Sequence, residues 1–163
     1  MQDKYQTIAE TLIHIDLVSS YLESIKLELS KRQYSHDRSK LQPEELDIFV
    51  EYTPKLKASE YNSPEYHQNL AEMKVALDHH YAHNRHHPQF SSEGVMGMTL
   101  VDLIEMLCDW KSSTERTKDG CIYKSIEINK DRFNIPEPIV QILRNTADKL
   151  DNPFRDLTSQ ANL

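Results

Sequence analysis

From Lys4 to Arg32 the apolar side chains Ile8, Leu12, Ile15, Val18, Leu22, Ile25 and Leu29 recur every three or four positions. That period lays them along one stripe of an α-helix, so the chain opens with a long amphipathic helix. Only 3 glycines occur in 163 residues, which leaves little room for the tight turns of a sandwich or barrel. The expected fold is therefore all-α, a single-domain helical bundle of about six helices over residues 1–152 with a C-terminal tail at 153–163.

The rest of the chain reads as short helices separated by breakers. Ser35 is placed to cap a short helix carrying His36, Asp37 and Lys40, which stops near Leu41 ahead of Pro43. Pro43, with Glu44 and Glu45 beside the positive helix end, opens a helix over residues 43 to 52. Residues 53 to 63 contain a proline and small polar residues, and read as a loop. From Ser63-Pro64-Glu65 a stripe of Leu70, Met73, Leu77 and Tyr81 carries a helix through the histidines toward Pro88. After a loop at 88 to 98, Thr99 and Asp102 have the spacing of a capping box for a strongly apolar helix to about Thr117. Two further helices are expected at roughly 122 to 133 and 138 to 150.

Charge and composition remove several classes of function. A net charge of −7 and a pI of about 5.6 argue against coating of nucleic acid, which needs clustered excess Lys and Arg. No apolar run is long enough for a membrane span and the N-terminus lacks a signal core, so no membrane association and a cytoplasmic location are expected. Cys108 and Cys121 are too few for a disulfide framework and lack the spacing of a zinc knuckle.

The anomaly is histidine: of 8, five fall at 79, 80, 83, 86 and 87. Helix propensity gives no reason for such a cluster, whereas imidazole is a common metal ligand. On one continuous helix His80, His83, Asn84 and His87 share a face, and His79, His83 and His86 an adjacent one, so all five cannot reach one ion. His36-Asp37 pairs an imidazole with a carboxylate, a donor set suited to a divalent ion of intermediate softness. Asp102, Glu105 and Asp109 share a face; Asp102 is explained as a cap, while Asp109 sits in the apolar string Ile104-Glu-Met-Leu-Cys-Asp-Trp110, where an unpaired carboxylate would be costly. His14 lies beside the first apolar stripe and, taken singly, reads as a hydrogen-bonded core residue. Arg85, Lys111, Arg116, Lys124 and Arg132 are available to an anionic substrate, or are solvated surface.

Taken in order, His14, His36-Asp37 with Lys40, the histidines at 79 to 87, and Asp109 resemble the HD superfamily of metal-dependent phosphohydrolases. More narrowly, H-D-R-S-K at 36 to 40, H-x-x-x-N-x-H-H at 80 to 87 and E-M-L-C-D-W at 105 to 110 look like an uncharacterised family found in bacteria and their phages. The resemblance implies an HD-like bundle holding one or two divalent ions (Mn, Co, Zn, Mg or Fe) and hydrolysing a phosphate ester, often in a nucleotide. His36, Asp37, His14 and Asp109 would then be ligands, and His80 with His86 or His87 would complete a second metal position. Lys40 would contact phosphate, with Asn84 and Arg85 also toward substrate, and Glu105 would accept a proton or support a ligand. The gap from His14 to His36 is short and no glycine-tyrosine-proline signature follows the histidines, which disfavours a cyclic dinucleotide phosphodiesterase. An HD-type iron-dependent oxygenase and a non-catalytic module with a structural metal or a protein partner are the alternatives. The expected partner is a small phosphorylated molecule; the sequence sets no oligomeric state, and a dimer is compatible with it.

Overall fold

A computed structural model describes residues 3–60, 63–116 and 119–151. Among them are seven α-helices and three short 3-10 turns, with no strand, as an all-α chain requires. The tail expected at 153 to 163 lies outside the described residues, as does Thr117, the expected end of one helix; that helix stops at Glu115. None of the described helices is long and apolar enough to cross a membrane. The chain divides into two compact units, one ending at Arg38 and the other beginning at Ser39.

The first unit is a single helix, α1 (Lys4–Ser35), capped by the Asp3 side chain, which accepts from the Tyr5 amide at 3.2 Å. The helix runs past the expected boundary, so Ser35 is its last residue rather than the cap of a new one. His36 caps the end, its amide donating to the Arg32 carbonyl at 2.8 Å, and Asp37 turns the chain with a left-handed φ of 57°. Aspartate is among the few non-glycine residues that adopt this conformation readily, which is why the helix stops there. The 3-10 turn Arg38–Leu41 replaces the short helix expected for His36, Asp37 and Lys40.

The second unit holds all the apolar residues found buried among those described, from Met73 to Ala147. Helix α2 (Pro43–Ala58) begins at the expected proline but continues six residues further, through Pro54. The loop expected over residues 53 to 63 is corrected to that extent. Glu45, Ile48, Phe49, Tyr52 and Leu56 form the inward stripe of α2, and packing along it holds the helix despite the hydrogen bond that proline cannot donate.

The expected single helix from Ser63 to Pro88 is two, α3 (Pro64–Glu72) and α4 (Lys74–His83), interrupted at the buried Met73. Asn84 then takes an extended conformation and ends α4, so residues 84 to 87 are not helical. Beyond two 3-10 turns, Pro88–Phe90 and Gly94–Gly97, helix α5 (Leu100–Glu115) starts with the capping box that Thr99 and Asp102 predict. Helices α6 (Ile122–Phe133) and α7 (Glu137–Asp151) follow, separated by a left-handed Asn134 with φ 48°. Met106, Leu107 and Trp110 of α5, Ile122 and Ile126 of α6 and Val140, Leu143 and Ala147 of α7 make one contiguous core. Burying a side chain such as Met106 or Ile126 contributes about 2 kcal/mol. This core is the platform against which the histidine segment is held.

Candidate metal centre

The break at Asn84 reshapes the histidine segment. On a continuous helix His80 and His86 would face apart; because α4 ends at His83 and the chain folds back, both residues 86 and 87 come round to His80. His80, His86 and His87 each present a ring nitrogen, and these atoms lie within 4.8 Å of one another. The two Nε2 atoms of His80 and His87 are 2.9 Å apart. His80 and His86 are each 1% exposed. The face assignment expected from one long helix is thereby corrected: His79 and His83 turn away together, their rings stacked with centroids 4.0 Å apart.

Carboxylates stand behind two of the three imidazoles. Glu45, fully buried, approaches His80 Nδ1 with one oxygen at 2.9 Å and His79 Nδ1 with the other at 2.7 Å. A carboxylate oxygen only accepts here, so it assigns the proton of His80 to Nδ1 and the lone pair to Nε2, the nitrogen facing His87. Glu105 Oε1 lies 3.2 Å from His86 Nδ1. The Ser39 hydroxyl lies 3.1 Å from Glu45 and 3.0 Å from His80 Nδ1, so the start of this unit is tied into the same network. Three converging nitrogen donors, two of them with a carboxylate behind, fit zinc, cobalt or iron better than magnesium or manganese, which prefer oxygen.

The segment is fastened to α5 as well. Arg85 donates to both oxygens of Asp102, at 3.2 and 3.0 Å, while Asp102 also accepts from the Thr99 amide at 2.9 Å. Burial opposes ionisation of Asp102, but the bonds from Arg85 and Thr99 outweigh it and hold the carboxyl below its ordinary range. Arg85 thereby ties the histidine segment to α5 through an ion pair. Asn84, also expected toward substrate, is 8% exposed and spends its amide on the Ser39 hydroxyl at 2.7 Å and the His80 carbonyl at 2.8 Å. Its role is to end α4 and lock the fold-back.

A cavity of about 580 Å³ opens beside this centre, with His87 and Asp109 both in its wall. Asp109 is half-buried, intermediate between the solvated and the core position that its apolar neighbours suggest. Lys40 does not line the cavity; its ammonium sits over the Phe49 ring, 5.3 Å from the centroid. In the first unit His36 Nε2 and Asp37 Oδ2 are 3.6 Å apart. His14, in an exposed stretch of α1, is 22 positions before His36, about 33 Å along a straight helix. It cannot share an ion with that pair, and its expected place as the ligand from the first helix is corrected.

Glu45 is the residue that reading the sequence misses. Beside Pro43 it looks like an ordinary first-turn acid, but its spacing of three, four and seven from Ile48, Phe49 and Tyr52 puts it on the inward stripe. That register was the available signal.

A family model described as "Family of unknown function (DUF5662)" matches residues 3–154. No curated protein and no solved structure matches the chain.

Proposed function

Because the chain belongs to this family of unknown function, its activity has to be argued from its own side chains, and we propose that it is a divalent-metal-dependent phosphohydrolase acting on a small phosphate ester. The observation that carries this reading is the group of His80, His86 and His87, backed by Glu45 and Glu105, with His87 in the wall of a cavity large enough for a metabolite. The resemblance to HD phosphohydrolases rests on the order of the sequence motifs.

A bound divalent ion would supply Lewis acidity, lowering the pKa of a coordinated water and neutralising charge on phosphate oxygens. The chain's own part is orientation and proton transfer. Glu45 and Glu105 fix the rings of His80 and His86, so that the donor nitrogens need no reorganisation when an ion arrives. The sequence resemblance to HD phosphohydrolases implies His36 and Asp37 as metal ligands as well. Asp109, in the cavity wall, accepts the proton of the attacking water as its oxygen bonds to phosphorus. The ester P–O bond breaks and that proton passes to the departing oxygen. Glu105, behind His86, acts as a positioning residue.

The test is phosphate release from a panel of nucleotides and from p-nitrophenyl phosphate, after chelation and reloading with manganese, cobalt, zinc or magnesium. Wild-type protein should turn over at least one substrate, and His80→Ala, Asp37→Ala and Asp109→Ala should each lose at least 100-fold. No release with any metal would sink the reading; tightly held iron with oxygen-dependent turnover would replace it with the oxygenase.

A further inference from the structure

The chain carries 26 acidic against 19 basic residues, and several cations among the described residues have a carboxylate partner. Arg85 pairs with Asp102, Lys111 with Glu115 and Asp151, Lys130 with Glu137, and Arg144 with Glu127. Lys124 and Arg132 of α6 have no carboxylate partner among the described residues, and both line the 580 Å³ cavity. Two uncommitted cations facing one cavity in an acidic protein are a site for a multiply charged anion.

The rest of the wall narrows the ligand. Trp110 of α5 and Phe133 of α6 lie nearly parallel, 7° apart with centroids separated by 6.4 Å, and the Arg132 guanidinium stands 4.8 Å over the Phe133 ring. Asn129, Ser113 and Ser125 add amide and hydroxyl groups that can pair with ring nitrogens or a sugar. Lys124 and Arg132 are eight residues apart, about 12 Å along α6, a span that two long flexible side chains can close onto neighbouring phosphates. Asp109 and Asp119 are the acids in the wall; Asp109 is half-buried and Asp119 exposed.

We propose that the cavity between α5 and α6 binds a nucleoside diphosphate, its base against Trp110 and Phe133 and its two phosphates held by Arg132 and Lys124. The proposal depends on the phosphohydrolase reading only for what happens to the ligand at the His87 and Asp109 end, not for binding.

Trp110 is the only tryptophan in the chain, so its fluorescence reports occupancy of the cavity without turnover. The experiment titrates full-length protein in excess chelator with ADP, AMP, adenosine and inorganic pyrophosphate. ADP should change the Trp110 emission saturably and bind about ten-fold tighter than AMP, with adenosine and pyrophosphate each weaker than ADP by a larger factor. Lys124→Gln and Arg132→Gln should each weaken ADP about ten-fold while leaving adenosine unchanged; both positions are exposed, and melting curves establish that the variants fold. Asp119→Asn should tighten ADP. Adenosine binding as well as ADP, or ADP binding unaltered in both glutamine variants, would overturn the proposal. Saturable ADP binding with no phosphate release from any nucleotide or from p-nitrophenyl phosphate under any metal would remove the enzymatic reading and leave this one standing. Hydrolysis of p-nitrophenyl phosphate with a silent Trp110 would do the reverse.

Discussion

Glu45 concentrates the problem of the centre in one side chain, since a single buried carboxylate serves His79 and His80 at once. Replacing it by glutamine leaves one acceptor oxygen and introduces an amide donor, so one of the two rings must turn or change tautomer. Glu45→Gln is expected to weaken divalent-ion affinity by about 10- to 100-fold, read by competition with a fluorescent chelator. Unchanged affinity would show that His80 is not oriented for a metal. Asp102 makes the complementary case, in which a charge stabilises rather than binds. Its carboxyl is held below the ordinary range when folded, so the native state favours the ionised form, and this stabilisation is present above the ordinary carboxylate range and is lost as pH falls through the lowered value. Asp102→Asn should cost about 2 kcal/mol at neutral pH, a few degrees of melting temperature, and the gap to wild type should close in acid. A gap that stays constant with pH would refute the charge-based account.

At the scale of elements, Pro54 tests why α2 extends as it does. It lies exposed within the helix and cannot donate to the Val50 carbonyl, which costs up to about 3 kcal/mol relative to a good helix former. Pro54→Ala should stabilise the protein by about 1 to 3 kcal/mol in thermal or urea melts, without altering metal binding; destabilisation would mean that the ring itself is needed for packing. The same element shows what the sequence made legible. Apolar spacing identified α1 and α5, the Thr99 and Asp102 pair marked where α5 begins, and the breakers between residues 134 and 138 separated α6 from α7, because caps, stripes and breakers are local. The inward stripe continues through Phe49, Tyr52 and Leu56, but beyond residue 52 Pro54 and the polar residues around it leave too few apolar positions for the period to show. The histidines were legible as a cluster and illegible as a geometry: their facing depended on whether Asn84 continues or ends α4, and that is decided by its bonds to Ser39, 45 residues away in sequence.

For the whole molecule, the distribution of buried apolar residues matters more than their number. All of those found among the described residues lie between Met73 and Ala147, whereas α1 has none and, within its own unit, no second element to pack against. A periodic stripe reveals which face of a helix is apolar but not what covers it, so the opening helix, the clearest feature of the sequence, says least about the core. A fragment beginning at Ser39 should therefore fold, giving helical circular dichroism and a cooperative melt, since it retains the α5–α7 core, both carboxylates behind the histidines and all three ring donors. It should bind zinc or cobalt through the three ring donors it retains, and the metal should raise its melting temperature. A folded fragment whose melting temperature does not move with any divalent ion would remove the three histidines as a metal centre. Loss of the cooperative melt would instead show that α1, despite having no buried residue, is required for the second unit to fold.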